Sequence, residues 1–214
     1  MNSNLQANAI VRAEALQAIP WKNSGGITRE IAASPRGAAL DTFDWRISIA
    51  DVEQSGAFSI FPGIDRVLTV IDGAGMLLTD DNANTRYKLS CWQPFAFAGE
   101  TSINAELSGG VTRDFNLMLR RDRVTGAVYV HRSVRHLSVA HGTVVLYCAA
   151  GGFIVNAAGG EFHSQHLSQG DSFVIDVDRA HDIDIAPASY GAILLDARII
   201  PTPAIAKDNN IFTT

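Results

Sequence analysis

Three stretches of the chain carry polar residues two apart: Thr28 and Glu30, Arg46 and Ser48, Asp114 and Asn116. Residues i and i+2 of a β-strand share a face, so each pair would present its groups together. Arg66 adds a fourth group, within Phe61-Pro62-Gly63-Ile64-Asp65-Arg66-Val67-Leu68-Thr69-Val70-Ile71-Asp72-Gly73-Ala74-Gly75. There a Pro-Gly turn leads through a charged pair into an apolar, β-branched run that ends at a Gly-x-Gly turn. A guanidinium carried into a buried strand suits a carboxylate, through two parallel charge-assisted hydrogen bonds. It suits a metal ion poorly, because it offers donors only and stays charged. Two settings fit these residues. They are the solvent faces of half-buried strands, or they line a polar interior in which Arg46 and Arg66 face Glu30 and Asp114 and balance them. For Arg66 the alternative to anion binding is a structural pair with Asp65 or a glutamate at a barrel rim. Lys22 and Asn23 precede Gly25-Gly26, a pair open to φ > 0, and would add loop donors.

Other chemistries find little support. His163 and His166 are three apart, so on a strand they face opposite ways and do not grip one ion together. His131, His136, His141 and His181 read as surface or satisfied histidines, and no metal or other cofactor is expected. There is no Gly-x-Ser-x-Gly elbow, and neither Cys91 nor Cys148 has a histidine neighbour in sequence. Gly25-Gly26 is followed by neither a phosphate-loop nor a dinucleotide fingerprint. With 17 basic against 22 acidic residues, net −5, a broad cationic surface for nucleic acid or anionic membrane is not expected. Two cysteines are too few for a disulfide framework and read as free thiols in a reducing compartment. Met1-Asn2-Ser3-Asn4-Leu5-Gln6 lacks the charged start and apolar stretch of a signal peptide, and no apolar run is long enough to span a bilayer. A cytoplasmic protein is the expectation.

The elements that would position these groups are strands. Ile27-Thr28-Arg29-Glu30-Ile31 and Phe43 to Val52 alternate apolar and polar. From Val128 onward short β-rich runs recur with Gly or Asn turns between them. No segment has a sustained helical period, and residues 9–19 fit a strand or a helical turn equally. The chain also repeats itself. Val67-Leu68 recurs as Val145-Leu146 and Gly73 as Gly151; Leu89-Ser90 recurs as Leu167-Ser168 and Phe95 as Phe173, all at one offset of 78 residues. One offset across an intervening hairpin implies two similar β-barrels in one chain.

The repeated unit resembles a cupin jelly roll, in which a strand ends at Gly-x-Gly and a later Leu-x-x-Gly-Asp turn precedes a Phe-containing strand. Leu167-Ser168-Gln169-Gly170-Asp171-Ser172-Phe173 fits that turn; Leu89 to Phe95 is a degenerate copy. The fold class is therefore all-β, two tandem cupin-type barrels (a bicupin), with residues 1–122 as the N-terminal barrel and 123–214 as a degenerate C-terminal one. Where many cupins hold a metal through histidines and a glutamate, this chain has Phe58-Ser59-Ile60-Phe61 and Arg66, so the first barrel is not expected to bind a metal in that way.

At finer scale the first 120 or so positions resemble the HutD/Ves family, bacterial cupins linked to histidine utilisation and stress response. The resemblance rests on Pro20-Trp21-Lys22-Asn23-Ser24-Gly25-Gly26-Ile27-Thr28-Arg29-Glu30, Phe43 to Ala50, Phe58 to Arg66, and Thr112-Arg113-Asp114-Phe115-Asn116-Leu117-Met118. It departs at Ser24, where the family more often has glycine. The resemblance implies a pocket in the N-terminal barrel and a role in binding a small acidic intermediate of histidine breakdown, and it favours the polar-interior setting. The expected ligand-binding set is Lys22, Asn23, Thr28, Glu30, Arg46, Ser48, Phe61, Arg66, Asp114 and Asn116. Arg66 and Arg46 would anchor a carboxylate-bearing metabolite, such as a formylated or formiminated glutamate, in a regulatory or accessory protein. Trp21, Trp45 and Phe61 would be walls or core. Two alternatives stand beside this: a metal-independent hydrolase or isomerase using Glu30 and Asp114, and a scaffold with an inert pocket. Exposed sheet edges admit a homodimer, which no residue specifies.

Overall fold

The computed structural model describes residues 8–157 and 163–203; Met1 to Gln6 lie outside them. Nineteen strands occur among the described residues. In chain order they are β1 (Ala9–Val11), β2 (Ala18–Pro20), β3 (Gly26–Ser34), β4 (Trp45–Val52), β5 (Gly56–Ala57), β6 (Ile64–Asp72), β7 (Met76–Asp80), β8 (Thr85–Leu89), β9 (Phe95–Ala98), β10 (Ile103–Leu107) and β11 (Thr112–Arg120). They continue as β12 (Val124–His131), β13 (Arg135–Val139), β14 (Gly142–Ala150), β15 (Gly152–Ala157), β16 (Gln165–Ser168), β17 (Ser172–Val177), β18 (His181–Pro187) and β19 (Ile193–Pro201). The helical structure described is one 3₁₀ turn, Ala13–Ala15, and among the described residues no helix is long and apolar enough to cross a membrane.

The first barrel faces a six-stranded sheet, β2-β3-β4-β11-β6-β9, with a four-stranded one, β5-β10-β7-β8. The second repeats the plan with β1-β17-β14-β19-β12 and β13-β18-β15-β16. Strand parity divides the cores. On the larger sheets Trp45, Ile47, Ile49, Phe115 and Leu117 meet Val145, Tyr147, Leu195 and Ala197 in one apolar layer between the barrels. The opposite faces fill the barrels themselves. The second is packed with apolar side chains, among them Leu146, Cys148, Phe153, Phe173 and Leu194. The first is apolar only toward Leu68, Val70, Met76 and Leu78. Elsewhere its inward positions include the polar Glu30, Arg46, Ser48, Arg66, Asp114 and Asn116.

Residues 9–19 divide into β1, the 3₁₀ turn and β2. β1, within the stretch 1–122 expected of the first barrel, pairs with β17 of the second, Ile10 opposite Phe173. The chain then crosses to pair β2 with β3, so its start ties the two barrels together. Asp171, in the Leu-x-x-Gly-Asp turn, fastens the strap. It accepts Arg12 Nη1 at 2.6 Å, the Ala13 N–H at 3.0 Å and the Ser168 N–H at 3.0 Å. Burial pushes its pKa up, but the Ala13 N–H, Arg12 and the Ser168 N–H outweigh this and hold the carboxyl below the usual range. Asp171→Ala is expected to cost about 2–3 kcal/mol, the loss of hydrogen bonds to a mostly buried charge, measured by urea unfolding. Because the folded pKa is depressed, the contribution is present at neutral pH and disappears as pH falls through the folded value. The parent and Asp171→Ala should therefore converge in acid.

Candidate functional site

The polar interior of the first barrel is built on four neighbouring strands of the larger sheet. On β11, Asp114, Asn116 and Met118 point inward; Asn116 lies opposite Ser48 of β4 and Leu68 of β6. One inward position along, Met118 lies between Arg46 and Arg66. One position the other way, Asp114 lies opposite Ala50, and Ala50 opposite Thr28. The inner face is thus ordered in rungs: two guanidiniums, then an amide and a hydroxyl, then a carboxylate and a hydroxyl. A bulge in β3 after Glu30 keeps Glu30 on the inner face beside Ser48 while turning Ile31 into the layer between barrels.

The two arginines are satisfied differently. Arg46 Nε donates to Glu30 Oε2 at 2.7 Å and Nη1 to Ser48 Oγ at 3.3 Å. Arg66 is 7% exposed and, among the described residues, forms no ion pair. Its Nε donates to Asn116 Oδ1 over a long 3.4 Å. Its guanidinium lies 5.0 Å from the ring centre of Phe97, 5.3 Å from Phe58 and 5.7 Å from Phe61. The rings cover the cation through their π faces and give it nothing to hydrogen-bond. Asp65 does not pair with Arg66; it accepts from Arg121, which also holds Glu100. The neighbour-pair alternative is thereby removed, because consecutive strand residues face opposite ways.

Asp114, 3% exposed, likewise forms no ion pair and, unlike Arg66, has no hydrogen-bonding side-chain partner among the described residues. Burial pushes its pKa up to about 7, Asp51 adds to the rise, and Arg66 opposes it. Burial pushes Arg66 down to about 10, against the attraction of Asp114 and with the repulsion of Arg46. Two opposite charges therefore share the barrel interior and attract without touching.

The other expected residues lie at the edge of this group. Thr28 accepts Trp21 Nε1 at 2.7 Å. Lys22 is exposed, and Asn23 folds onto its own loop, accepting the Gly25 N–H at 3.1 Å. Ser24 has φ of +55°, the left-handed region that glycine enters without strain. Gly26 is held close: a Cβ would run into the Asp51 carbonyl and the Trp21 ring. A cavity of about 40 Å³, room for a few waters, lies beside this loop, lined by Trp21, Asn23, Gly25 and Phe58 among others. Phe58 is common to that cavity and to the cover over Arg66; Arg66 is not one of its walls.

Phe58 and Phe97 belong to the site but were not among the residues singled out from sequence. The alternation Phe95-Ala96-Phe97 on β9, opposite Leu68 and Arg66, was the available signal. The histidines stand apart: His136 pairs with Asp184 and Asp182 at the surface, while His131, at the end of β12, is mostly buried and satisfied by Asp196. Among the described residues no group of three or more His, Cys, Asp or Glu is placed to hold a metal.

Two duplicated jelly rolls, each a larger sheet closed by a smaller one, define a bicupin. At the level of fold alone, oxalate decarboxylase from Lactobacillus farciminis superposes with a TM-score of 0.63 at 9% identity, covering 94% of this chain and 88% of that one. The HutD family profile matches residues 13–193, and the chain belongs to the HutD family, cupin-like proteins associated with histidine utilisation. HutD from Pseudomonas fluorescens SBW25 is 33% identical with a TM-score of 0.79, covering 92% of this chain and all of that one. A Pseudomonas putida protein described as an uncharacterised 21.2 kDa protein in the hutC 3' region is 40% identical over 152 residues, 71% of this chain and 79% of its own length.

Proposed function

We propose that the first barrel binds a small carboxylate-bearing metabolite, and that the protein serves histidine utilisation as a cytoplasmic binding or regulatory component. The observation that carries this is Arg66: a guanidinium almost wholly removed from water, with no carboxylate in contact among the described residues. A buried charge left unpaired is costly, and a ligand carboxylate would supply the missing partner through paired N–H donors. Arg46, already tied to Glu30, is the second anchor, and Ser48, Asn116 and Thr28 offer hydrogen bonds along the ligand. Entry requires Phe58 or Phe61, both on the segment between β5 and β6, to move aside. The relative HutD from Pseudomonas fluorescens was solved in a formate condition, and the smallest carboxylate is the simplest occupant of such a place. Formylated and formiminated glutamates suit the chemistry of this run, with a carboxylate for the arginines and an N–H for Asp114 to accept.

A melting-temperature screen tests the proposal. Formate, acetate and N-formylglutamate should raise the midpoint in the millimolar range, with their neutral amides inactive. No rise with any acid overturns it. A metal-independent hydrolase or isomerase is the second reading, favoured by an Asp114 that titrates near neutral, where a general acid–base group works best. Turnover of the same compounds, lost in Asp114→Asn or Glu30→Gln, would establish it.

A further inference from the structure

The two barrels treat one position differently. Leu146 is the counterpart of Leu68 at the 78-residue offset; Leu68 lies opposite Asn116 and Leu146 opposite Asp196. Asn116 and Asp196 therefore occupy equivalent places on β11 and β19. On the adjoining rung the opposed residues are Arg66 and Met118 in the first barrel, and Val144 and Arg198 in the second. In each barrel this strand pair carries one guanidinium on that rung, Arg66 on β6 and Arg198 on β19; in the first barrel Arg46 of β4 adds a second, tied to Glu30. In each, the arginine Nε donates to the oxygen on the neighbouring rung: Arg66 to Asn116 Oδ1 at 3.4 Å, Arg198 to Asp196 Oδ2 at 3.0 Å.

The outcome for the charge is opposite. Arg198 also brings Nη2 to within 2.9 Å of Asp196 Oδ2, and His131 Nε2 reaches the same oxygen at 3.2 Å. Asp196 is fully buried and its Oδ1 is without a partner among the described residues. An amide and a carboxylate are nearly the same shape, but only the carboxylate cancels a guanidinium.

We infer that the residue on this rung decides whether a barrel's arginine is open to an outside acid. Asp196 is the second barrel's resident anion, and Asn116, being neutral, keeps Arg66 available. For the first barrel this rests on the acid-binding role proposed above; for the second it does not. One acid is taken up per chain although both barrels carry the arginine, and Asn116 is a specificity-determining residue.

The test exchanges the two residues, with sodium acetate as the probe and sodium chloride at equal ionic strength as the control. Asn116→Asp is expected to abolish the acetate-dependent rise in melting temperature while the protein stays folded. In an Arg66→Met background, which silences the first barrel, Asp196→Asn is expected to restore a rise of several degrees. Adding Arg198→Met, the side chain found opposite Arg66, should remove it again. If Asp196→Asn does not fold, Asp196→Ser in the same background carries the same expectation. A folded Arg66→Met/Asp196→Asn protein that answers acetate no more than chloride overturns the inference, as does an Asn116→Asp protein that binds acetate like the parent. A parent that ignores acetate, alongside a gain in Arg66→Met/Asp196→Asn, refutes the acid role of the first barrel and upholds the assignment of Asp196.

Discussion

Arg66→Met is expected to make the ligand-free protein more stable while erasing its response to acids. The guanidinium is buried under Phe58, Phe61 and Phe97, its contact with Asn116 is long, and it touches no carboxylate among the described residues. Three π faces return part of the lost hydration, each roughly 0.5–2 kcal/mol, but they leave the N–H groups poorly used. Methionine fills a similar volume, already stands opposite as Met118, and favours aromatic contacts. Replacing poorly compensated buried charges with apolar side chains gains about 1–4 kcal/mol in favourable cases, and each kcal/mol moves the midpoint of a chain this size by roughly 2–4 °C. Asp114, deprived of its attraction to Arg66, takes up a proton instead of remaining a lone buried anion. Calorimetry of the parent and Arg66→Met, with and without acetate, checks both halves. A destabilised variant would mean that the aromatic cover and the arginine exist for the fold, and the binding site would have to be sought elsewhere.

The same residues show what a sequence can convey about such a site. Polar residues two apart on Thr28–Glu30, Arg46–Ser48 and Asp114–Asn116 say that each pair shares a face, because strand parity is a local property. The repeat at one offset says that there are two barrels and hence an inside for those faces to line. Neither reveals which arginine is satisfied. Arg46 meets Glu30 because Glu30 pairs with Ser48, two residues from Arg46 on the same face, and Asp65 turns to Arg121 on the other side of the strand. Such pairings depend on side-chain reach across strands distant in sequence. The aromatic cover was hidden for a related reason. Phe58 lies in an irregular segment and Phe97 on an edge strand, so neither announces that it points at a cation. The strap was hidden too. Ala9–Val11 is three residues long, and its partner β17 lies more than 160 residues further along the chain, where no periodicity could point.

Asp114 should give the parent an unusual pH profile. Its folded pKa, about 7, lies well above the ordinary aspartate value near 3.9. For a group whose folded pKa is raised, the contribution to stability is complete below the unfolded pKa and is lost as pH rises through the folded one. The parent should therefore lose stability between about pH 4 and pH 7, by up to about 3–4 kcal/mol at one pKa unit per 1.4 kcal/mol. Asp114→Asn, which keeps the shape without the charge, should be nearly level over that window and the more stable of the two at pH 8. Binding follows the same proton. An acid seated on Arg66 adds negative charge near Asp114 and takes up part of the attraction that opposes its protonation, while Asp51 continues to disfavour the anion. Ligand and proton then bind together: affinity for acetate should weaken as pH rises through 7 in the parent, and calorimetry in buffers of different ionisation heat should show proton uptake near neutral pH. In Asp114→Asn both the pH dependence and the uptake should vanish. A parent whose acid affinity is flat from pH 5 to pH 8 would place the bound carboxylate too far from Asp114 for the two to share one interior.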